Sequence, residues 1–251
     1  MELEKNIRNN INKYIYFETE LGILLNGDCL EILPLFPAAH FDMILTDPPY
    51  GINYKSPMQS YQKRIENDSF DDWKTILPKF LVEFKRLITY SGCCCCCCGG
   101  GGKTPVGAIF TMEAIKHFNL IQTLIWKKFI GLGWRYRPAY ETIAVLSKDE
   151  KDYAFYDDTK ACSNVIEGIN QAIPTEGCHP TQKPVLLMEK LLIIHSKQKD
   201  LIIDPFIGGG STAIACEKLN RKWVGIEMSE EYCAIAKRQI EKESEQMKFQ
   251  L

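Results

Sequence analysis

No stretch of about 18 consecutive apolar residues, the length a helix needs to cross a bilayer, occurs anywhere in the chain. The opening MELEKNIRNN is too polar for a signal peptide. Together these absences make a cytoplasmic protein with no membrane partner the expectation. An excess of charge of one sign is missing too. The 30 lysines and arginines against 32 aspartates and glutamates leave a formal net charge of -2. Any contact with nucleic acid must therefore come from a local basic surface. Cysteine pairs with metal-binding spacing are also absent, since no C-x-x-C exists outside the consecutive run Cys93 to Cys98. Eleven cysteines would suggest a disulfide scaffold in a short secreted chain, but this chain is neither. Within a strand, adjacent residues point to opposite faces, so the run cannot by itself converge on one metal ion. Free cysteine packs as a small hydrophobe, and a buried strand with no metal is the expectation there.

What is present is ordinary in amount. Of the 251 residues, 45% are hydrophobic and 25% charged, which fits one α/β domain over residues 1–251 better than two small ones. The most informative stretch is Asp47-Pro48-Pro49-Tyr50, which follows the apolar run Phe41-Asp42-Met43-Ile44-Leu45-Thr46. Met43 to Leu45 predicts a short buried strand, and two prolines stop it. An acid and an aromatic then stand at the carboxyl end of a strand, where open α/β sheets place ligands. The Asp47 carboxylate and the Pro48 carbonyl can accept from an amino group, and Tyr50 offers a flat face to a planar ring. A plain proline turn is the alternative for the tetrapeptide alone.

Upstream, Leu21 to Asn26 predicts a first strand, closing on Gly27-Asp28, and Cys29 to Leu35 continues with helical spacing. Asp28 thus stands at a strand-to-helix junction as a ligand contact or as a helix N-cap. After Tyr50, the polar stretch from Gly51 to Asp72 carries Lys55, Lys63 and Arg64 and predicts a loop with basic residues available for phosphates. Trp73 to Ile88 shows helical periodicity, with Pro78 as a kink or a true start. The cysteine run predicts the next strand, Met112 to Leu120 a helix, and Leu124 to Lys128 and Thr142 to Leu146 two further strands. Their connection, Gly131-Leu132-Gly133-Trp134-Arg135-Tyr136-Arg137-Pro138, interleaves basic and aromatic residues, with Arg135 and Arg137 suited to phosphate contact. Residues 148–178 have little periodicity and form the expected variable insertion.

His179-Pro180-Thr181-Gln182-Lys183-Pro184 opens a helix from Val185 to His195, with Thr181 able to cap it. A βαβ unit follows. Leu201-Ile202-Ile203 is a strand, Asp204-Pro205-Phe206-Ile207-Gly208-Gly209-Gly210 a glycine-rich turn, Ser211 to Leu219 a helix, and Trp223 to Ile226 a second strand ending in Glu227. Glycine at 208 and 210 lets the main chain approach a ligand. An acid at the end of the next strand is placed for two ribose hydroxyls of a nucleoside.

Taken together, these residues resemble the amino-group DNA methyltransferases that use S-adenosylmethionine. Asp47-Pro48-Pro49-Tyr50 is similar to their catalytic motif and Asp204 to Gly210 to their cofactor motif, with its F-x-G-x-G core. The catalytic motif comes first and the cofactor motif 157 residues later, an order that looks like the permuted beta class. The cysteine/glycine run and Trp134 to Glu141 look like segments of phage- and prophage-type members. The resemblance implies a doubly wound, mostly parallel, seven-stranded Rossmann-like methyltransferase sheet, circularly permuted, with one antiparallel strand. It implies that Asp47, Pro48, Pro49 and Tyr50 hold the target base. Phe206, Gly208 and Gly210 would border the cofactor's methionine part and ribose, and Glu227 would bind the ribose hydroxyls. Asp204 would belong to the same cofactor motif, and Asp28 would lie near the adenine ring. Thr181 and Lys183 would lie near the cofactor carboxylate, where a helix start favours an anion.

The substrate implied is duplex DNA, methylated at N6 of a flipped-out adenine, because Asp at the first motif position is more typical of adenine enzymes than of N4-cytosine ones. N4 of cytosine is the runner-up, and RNA or a small molecule stays open because fold does not fix substrate. A nucleotide-binding regulatory module is the non-enzymatic alternative, and an intact Asp-Pro-Pro-Tyr argues against it. The implied partners are double-stranded DNA, with room for a homodimer and a cognate restriction enzyme. Residues 148–178 would form a short target-recognition insertion.

Overall fold

The computed structural model describes residues 4–49, 70–99, 105–129, 137–159, 161–171 and 182–248. Helix α1 (Lys5–Ile11) leads into β1 (Ile15–Glu18), β2 (Gly22–Asn26), α2 (Cys29–Ile32) and β3 (Phe41–Thr46). Helix α3 (Phe70–Leu87), β4 (Ile88–Cys97), α4 (Val106–Ala114), β5 (Asn119–Lys127) and β6 (Tyr140–Ser147) form the middle of the chain. The last third holds β7 (Val165–Ile166), α5 (Val185–His195), β8 (Leu201–Asp204), α6 (Ser211–Lys218), β9 (Lys222–Glu227) and α7 (Glu230–Lys248).

All strands join one sheet in the order β1-β2-β9-β8-β3-β4-β6-β5-β7. Strands β2, β9, β8, β3 and β4 run parallel to one another, β6 runs antiparallel to both its neighbours, and β1 is antiparallel to β2. The expected count of seven is corrected to nine among the described residues. The two additions are edge strands. Strand β1 grows from the polar opening segment, and the two-residue β7 pairs with β5 inside the aperiodic 148–178 stretch. Both are too short to announce themselves by alternation.

Strict alternation divides the core between the two faces of the sheet. On one face Ile23, Leu25, Ile44, Cys94, Cys96, Leu146 and Ile203 pack under helices α1 to α4. On the other, Leu24, Met43, Leu45, Cys93, Cys95, Cys97, Val145 and Ile202 pack under α5, α6 and α7. The cysteine run is thus a buried central strand, fully enclosed from Cys93 to Cys97. Helix α3 runs through Pro78, held by its buried stripe Trp73, Leu77, Phe80, Leu81, Phe84 and Leu87. Helix α4 lies earlier than the expected Met112 to Leu120. Its buried face is Val106, Phe110 and Ala114, spaced four apart, and Asn119 and Leu120 already belong to β5.

Candidate active site

Four parallel strand ends stand side by side in the order β2, β9, β8, β3, and each ends in an acid or within two residues of one: Asp28, Glu227, Asp204 and Asp47. From β3 the chain moves outward to β4, whereas from β8 it moves the opposite way to β9. The sheet therefore has its topological switch point between β3 and β8, where the adjoining loops diverge and open a crevice. Asp47 and Asp204 border that crevice although 157 residues separate them in the chain.

The glycine turn is built as a cradle. Glu227 accepts hydrogen bonds from the Gly208 amide at Oε2 (3.1 Å) and the Ser229 amide at Oε1 (2.8 Å). A carboxylate has about four lone-pair sites, so two remain for donors such as a pair of hydroxyls. Burial pushes the Glu227 carboxyl upward, partly offset by the Ser229 and Gly208 amides, so added donors would relieve it. Asn26 Nδ2 donates to the Glu227 and Met228 carbonyls, 3.0 Å each, and fixes the ends of β2 and β9 together. Gly210 precedes α6 at φ 90°, and a Cβ there would meet Ala236 at 3.2 Å. Only glycine fits both the left-handed backbone and the contact.

Asp28 is partly buried, and its side chain accepts from the Leu30 amide at 2.8 Å as the N-cap of α2. The Phe206 ring meets Phe80 edge-on at 4.9 Å, so one side of it is anchored on α3. Asp204 is 4% exposed and turns into the protein. Its Oδ1 accepts from Thr46 Oγ1 at 2.7 Å and from the Phe206 amide at 3.1 Å, and its Oδ2 accepts from Thr212 Oγ1 at 2.6 Å. It ties β3, the glycine turn and α6 into one unit. Burial raises its carboxyl to about 6 despite those donors.

Lys183 is 7% exposed and does not stand over the glycine turn alone. Its ammonium forms an ion pair with Asp47 and lies 3.4 Å from Glu141, which in turn pairs with Lys128. A line of alternating charge thus crosses the carboxyl end of the sheet from β5 to β3: Lys128, Glu141, Lys183, Asp47. Burial alone would lower the Lys183 ammonium, but Asp47 and Glu141 outweigh it and hold it raised. Burial alone would raise Glu141, but Lys183 and Lys128 hold it below the usual carboxylate range. The Lys183 segment is itself clamped to the glycine turn, with Ser211 Oγ donating to the Lys183 carbonyl at 2.6 Å. Gln182 Nε2 also reaches the Gly209 carbonyl at 3.5 Å.

The structure therefore brings Asp28, Asp47, Lys183, Asp204, Phe206, Gly208, Gly210 and Glu227 to one end of the sheet. Pro48 is buried directly after β3 and Pro49 partly buried. Arg137 is exposed, three residues before β6 begins at that same end. Tyr50, Lys55, Lys63, Arg64, Arg135 and Thr181 lie outside the described residues. Glu141, Lys128, Thr46 and Thr212 escaped sequence reasoning. Thr46 and Thr212 flank motifs already singled out, but nothing in their spacing says that both turn onto Asp204.

Residues 41–238 match the DNA methylase family of N6/N4 enzymes. Two relatives extend the likeness over nearly the whole chain. The type II methyltransferase M2.LlaDCHI of Lactococcus lactis subsp. cremoris is 28% identical, covering 90% of this chain and 92% of its own length. The type II methyltransferase M2.DpnII of Streptococcus pneumoniae is 27% identical, covering 92% of this chain and 93% of its own. Among solved structures, the cytosine-N4-specific PvuII DNA methyltransferase superposes with a TM-score of 0.69 at 22% identity, covering 87% of this chain and 86% of that one. M1.HpyAVI, solved as a complex with S-adenosylmethionine, gives 0.64 at 22% identity, with 88% and 100% covered. These two share the fold. Among the described residues, no helix is long and apolar enough to cross a membrane. With a family match over most of its length, the chain belongs to the N6/N4 DNA methylases, enzymes that transfer a methyl group from S-adenosylmethionine to DNA.

Proposed function

We propose that the chain is a site-specific methyltransferase acting on the exocyclic N6 amine of an adenine flipped out of duplex DNA, and that it belongs to the permuted beta class. The observation that carries this reading is the position of Asp47 at the switch point, next to the strand that leads into the Asp204–Gly210 turn. A base held at Asp47 would lie beside a nucleoside held at Glu227. The bound cofactor supplies an electrophilic methyl group on a sulfonium.

The chain's own residues supply the rest. An exocyclic amine is a poor nucleophile because its lone pair is delocalised into the ring. Acceptors at the Asp47 carboxylate and the Pro48 carbonyl draw the two N–H bonds out of the ring plane and return the lone pair to nitrogen. The proton becomes acidic only as the nitrogen gains the methyl, so Asp47 need not remove it beforehand. Tyr50 would replace the stacking lost on flipping, a step of a few kcal/mol. Glu227, the Gly208–Gly210 main chain and Phe206 would hold the cofactor, with Asp28 toward its adenine. Lys183 would balance the charge of Asp47 and sit toward the cofactor carboxylate. Lys55, Lys63, Arg64, Arg135 and Arg137 would meet phosphates, and residues 148–178 would read the target sequence.

Adenine is preferred to cytosine on the aspartate at the first motif position. The PvuII enzyme, which shares the fold, is cytosine-N4-specific, and N4 of cytosine is the second reading. Two relatives are type II methyltransferases, and a cognate restriction enzyme as partner and a cytoplasmic setting belong to the same proposal. Modification-sensitive sequencing of host DNA expressing the protein, with mass analysis of the digested nucleosides, tests the base and the context together. N6-methyladenine in one sequence context is the expected result, and N4-methylcytosine without it overturns the choice of base. Methyl transfer to RNA but not to duplex DNA overturns the substrate.

A further inference from the structure

The cysteine strand places Cys93 and Cys95 on the same face of the sheet, two residues apart and fully buried, with their sulfurs 3.8 Å from each other. Alternation separates neighbours in a strand but aligns every second residue, so two thiols can meet if a third donor arrives from elsewhere. It does. His195, the last residue of α5 and 4% exposed, brings its imidazole to them, and the three donor atoms all lie within 4.8 Å of one another.

Two features set this cluster apart from a chance gathering of core residues. The first is angular. Two sulfurs 3.8 Å apart, each bound at about 2.3 Å, subtend about 111° at a metal, close to the tetrahedral value. The opposite face of the same strand provides the contrast. Cys94 and Cys96 sulfurs are 3.3 Å apart, which would force an angle of about 92°, and among the described residues no imidazole is grouped with them. The second is the orientation of the histidine. Its Nδ1 lies 2.8 Å from the Ala154 carbonyl, which leaves the lone pair on Nε2 for a metal. A ring nitrogen donating to a backbone carbonyl is the usual outer partner of a metal-bound histidine.

We propose that Cys93, Cys95 and His195 form a binding site for a divalent thiophilic cation of the zinc type. Binding releases one proton from each thiol. Two thiolates and a neutral imidazole then carry two negative charges, which a divalent ion cancels, as full burial requires. Sulfur and imidazole donors select a soft or borderline ion over magnesium or calcium. Met43, the register partner of Cys93 in β3, lies in the same buried cluster and adds a thioether to the surroundings. The site lies under the middle of β4, since Cys93 stands four residues before Cys97 on a strand whose carboxyl end borders the crevice with Asp47. Its role is therefore to join β4 to the end of α5, independently of the transfer reaction. The segment that covers it is tied down on both sides, with the Ala154 amide donating to the Ser91 carbonyl at 2.8 Å and the Tyr156 amide to Ile194 at 2.7 Å.

The test is metal content of the full chain, purified and refolded anaerobically with Zn2+, followed by Co2+ substitution to read thiolate-to-metal charge-transfer absorption. One ion per chain is expected, with the absorption present. Cys93→Ala, Cys95→Ala and His195→Gln should each weaken Zn2+ binding by more than the roughly 10–100-fold that loss of an outer partner costs. Cys94→Ala and Cys96→Ala should leave binding unchanged. His195→Gln keeps a polar group for the Ala154 carbonyl and decides the matter if a cysteine variant fails to fold. No stoichiometric metal, binding unaffected by His195→Gln, or equal loss in Cys94→Ala overturns the proposal. DNA methylation by His195→Gln should persist, which separates this site from the transfer reaction.

Discussion

Asp204 offers the sharpest test of how the site is assembled. Its carboxyl moves from an ordinary 3.8 to about 6 because it is buried, even with Thr212, Thr46 and the Phe206 amide donating to it. A shift of roughly two units corresponds to about 3 kcal/mol between the two protonation states. The folded-state value is raised, so the folded protein binds this proton more tightly than the unfolded chain does. Its contribution to stability is fully present below the unfolded value and is lost as pH rises through the folded one. The window therefore runs from about pH 4 to about pH 7. Asp204→Asn removes the titration while keeping the shape. The amide oxygen still accepts from Thr46 and the Phe206 amide, and the Thr212 hydroxyl can reverse to accept from the new NH2. Urea unfolding of both proteins across that window should show the wild type gaining about 2 kcal/mol on the variant as pH falls from about 7 to about 4. A difference that stays flat, or grows in the opposite sense, would refute a buried, charge-penalised Asp204.

Glu227→Ala should weaken S-adenosylmethionine binding by about 1.5–3 kcal/mol for each charge-assisted bond lost, read by calorimetric titration; unchanged affinity would remove Glu227 from the cofactor site. Asp47→Ala should abolish transfer of a labelled methyl group to duplex DNA while cofactor affinity stays nearly intact, and substantial residual turnover would end its catalytic assignment. Lys183→Met leaves the Asp47 and Glu141 carboxylates facing each other, with Lys128 still holding Glu141. A loss of about 3 kcal/mol in unfolding free energy is expected, at the low end for a broken buried pair. Adding Glu141→Gln should return about 1 kcal/mol or more of that loss, and strict additivity would contradict the bridge.

Much of the frame was legible in the chain before folding. Short apolar runs that end at Asn26, Thr46, Asp204 and Glu227 announce buried parallel strands, because such strands are enclosed on both faces and read as continuous hydrophobic stretches. The acid or glycine after each run marks the ligand-binding end, and the cysteine run obeys the same rule. Local pattern also determined α3 despite Pro78, since a buried stripe that runs from Trp73 to Leu87, about four turns, outweighs a single missing hydrogen bond. It failed where elements are short or borrowed. Strands β1 and β7 exist only because a sheet edge lends them partners, and α4 was misplaced because its buried face spans just three residues. What tertiary structure alone decided is which side chains meet. Lys183 carries the signature of a helix start facing an anion, yet it is paired with Asp47 and Glu141, which arrive from β3 and β6. Asp204 sits in a cofactor-like motif, yet its carboxylate holds Thr46 and Thr212. His195 ends an unremarkable apolar helix, yet it completes a cluster with Cys93 and Cys95. Period and composition act along the chain, whereas charge pairing and metal ligation act through space. Only the strand order of the folded sheet converts one into the other.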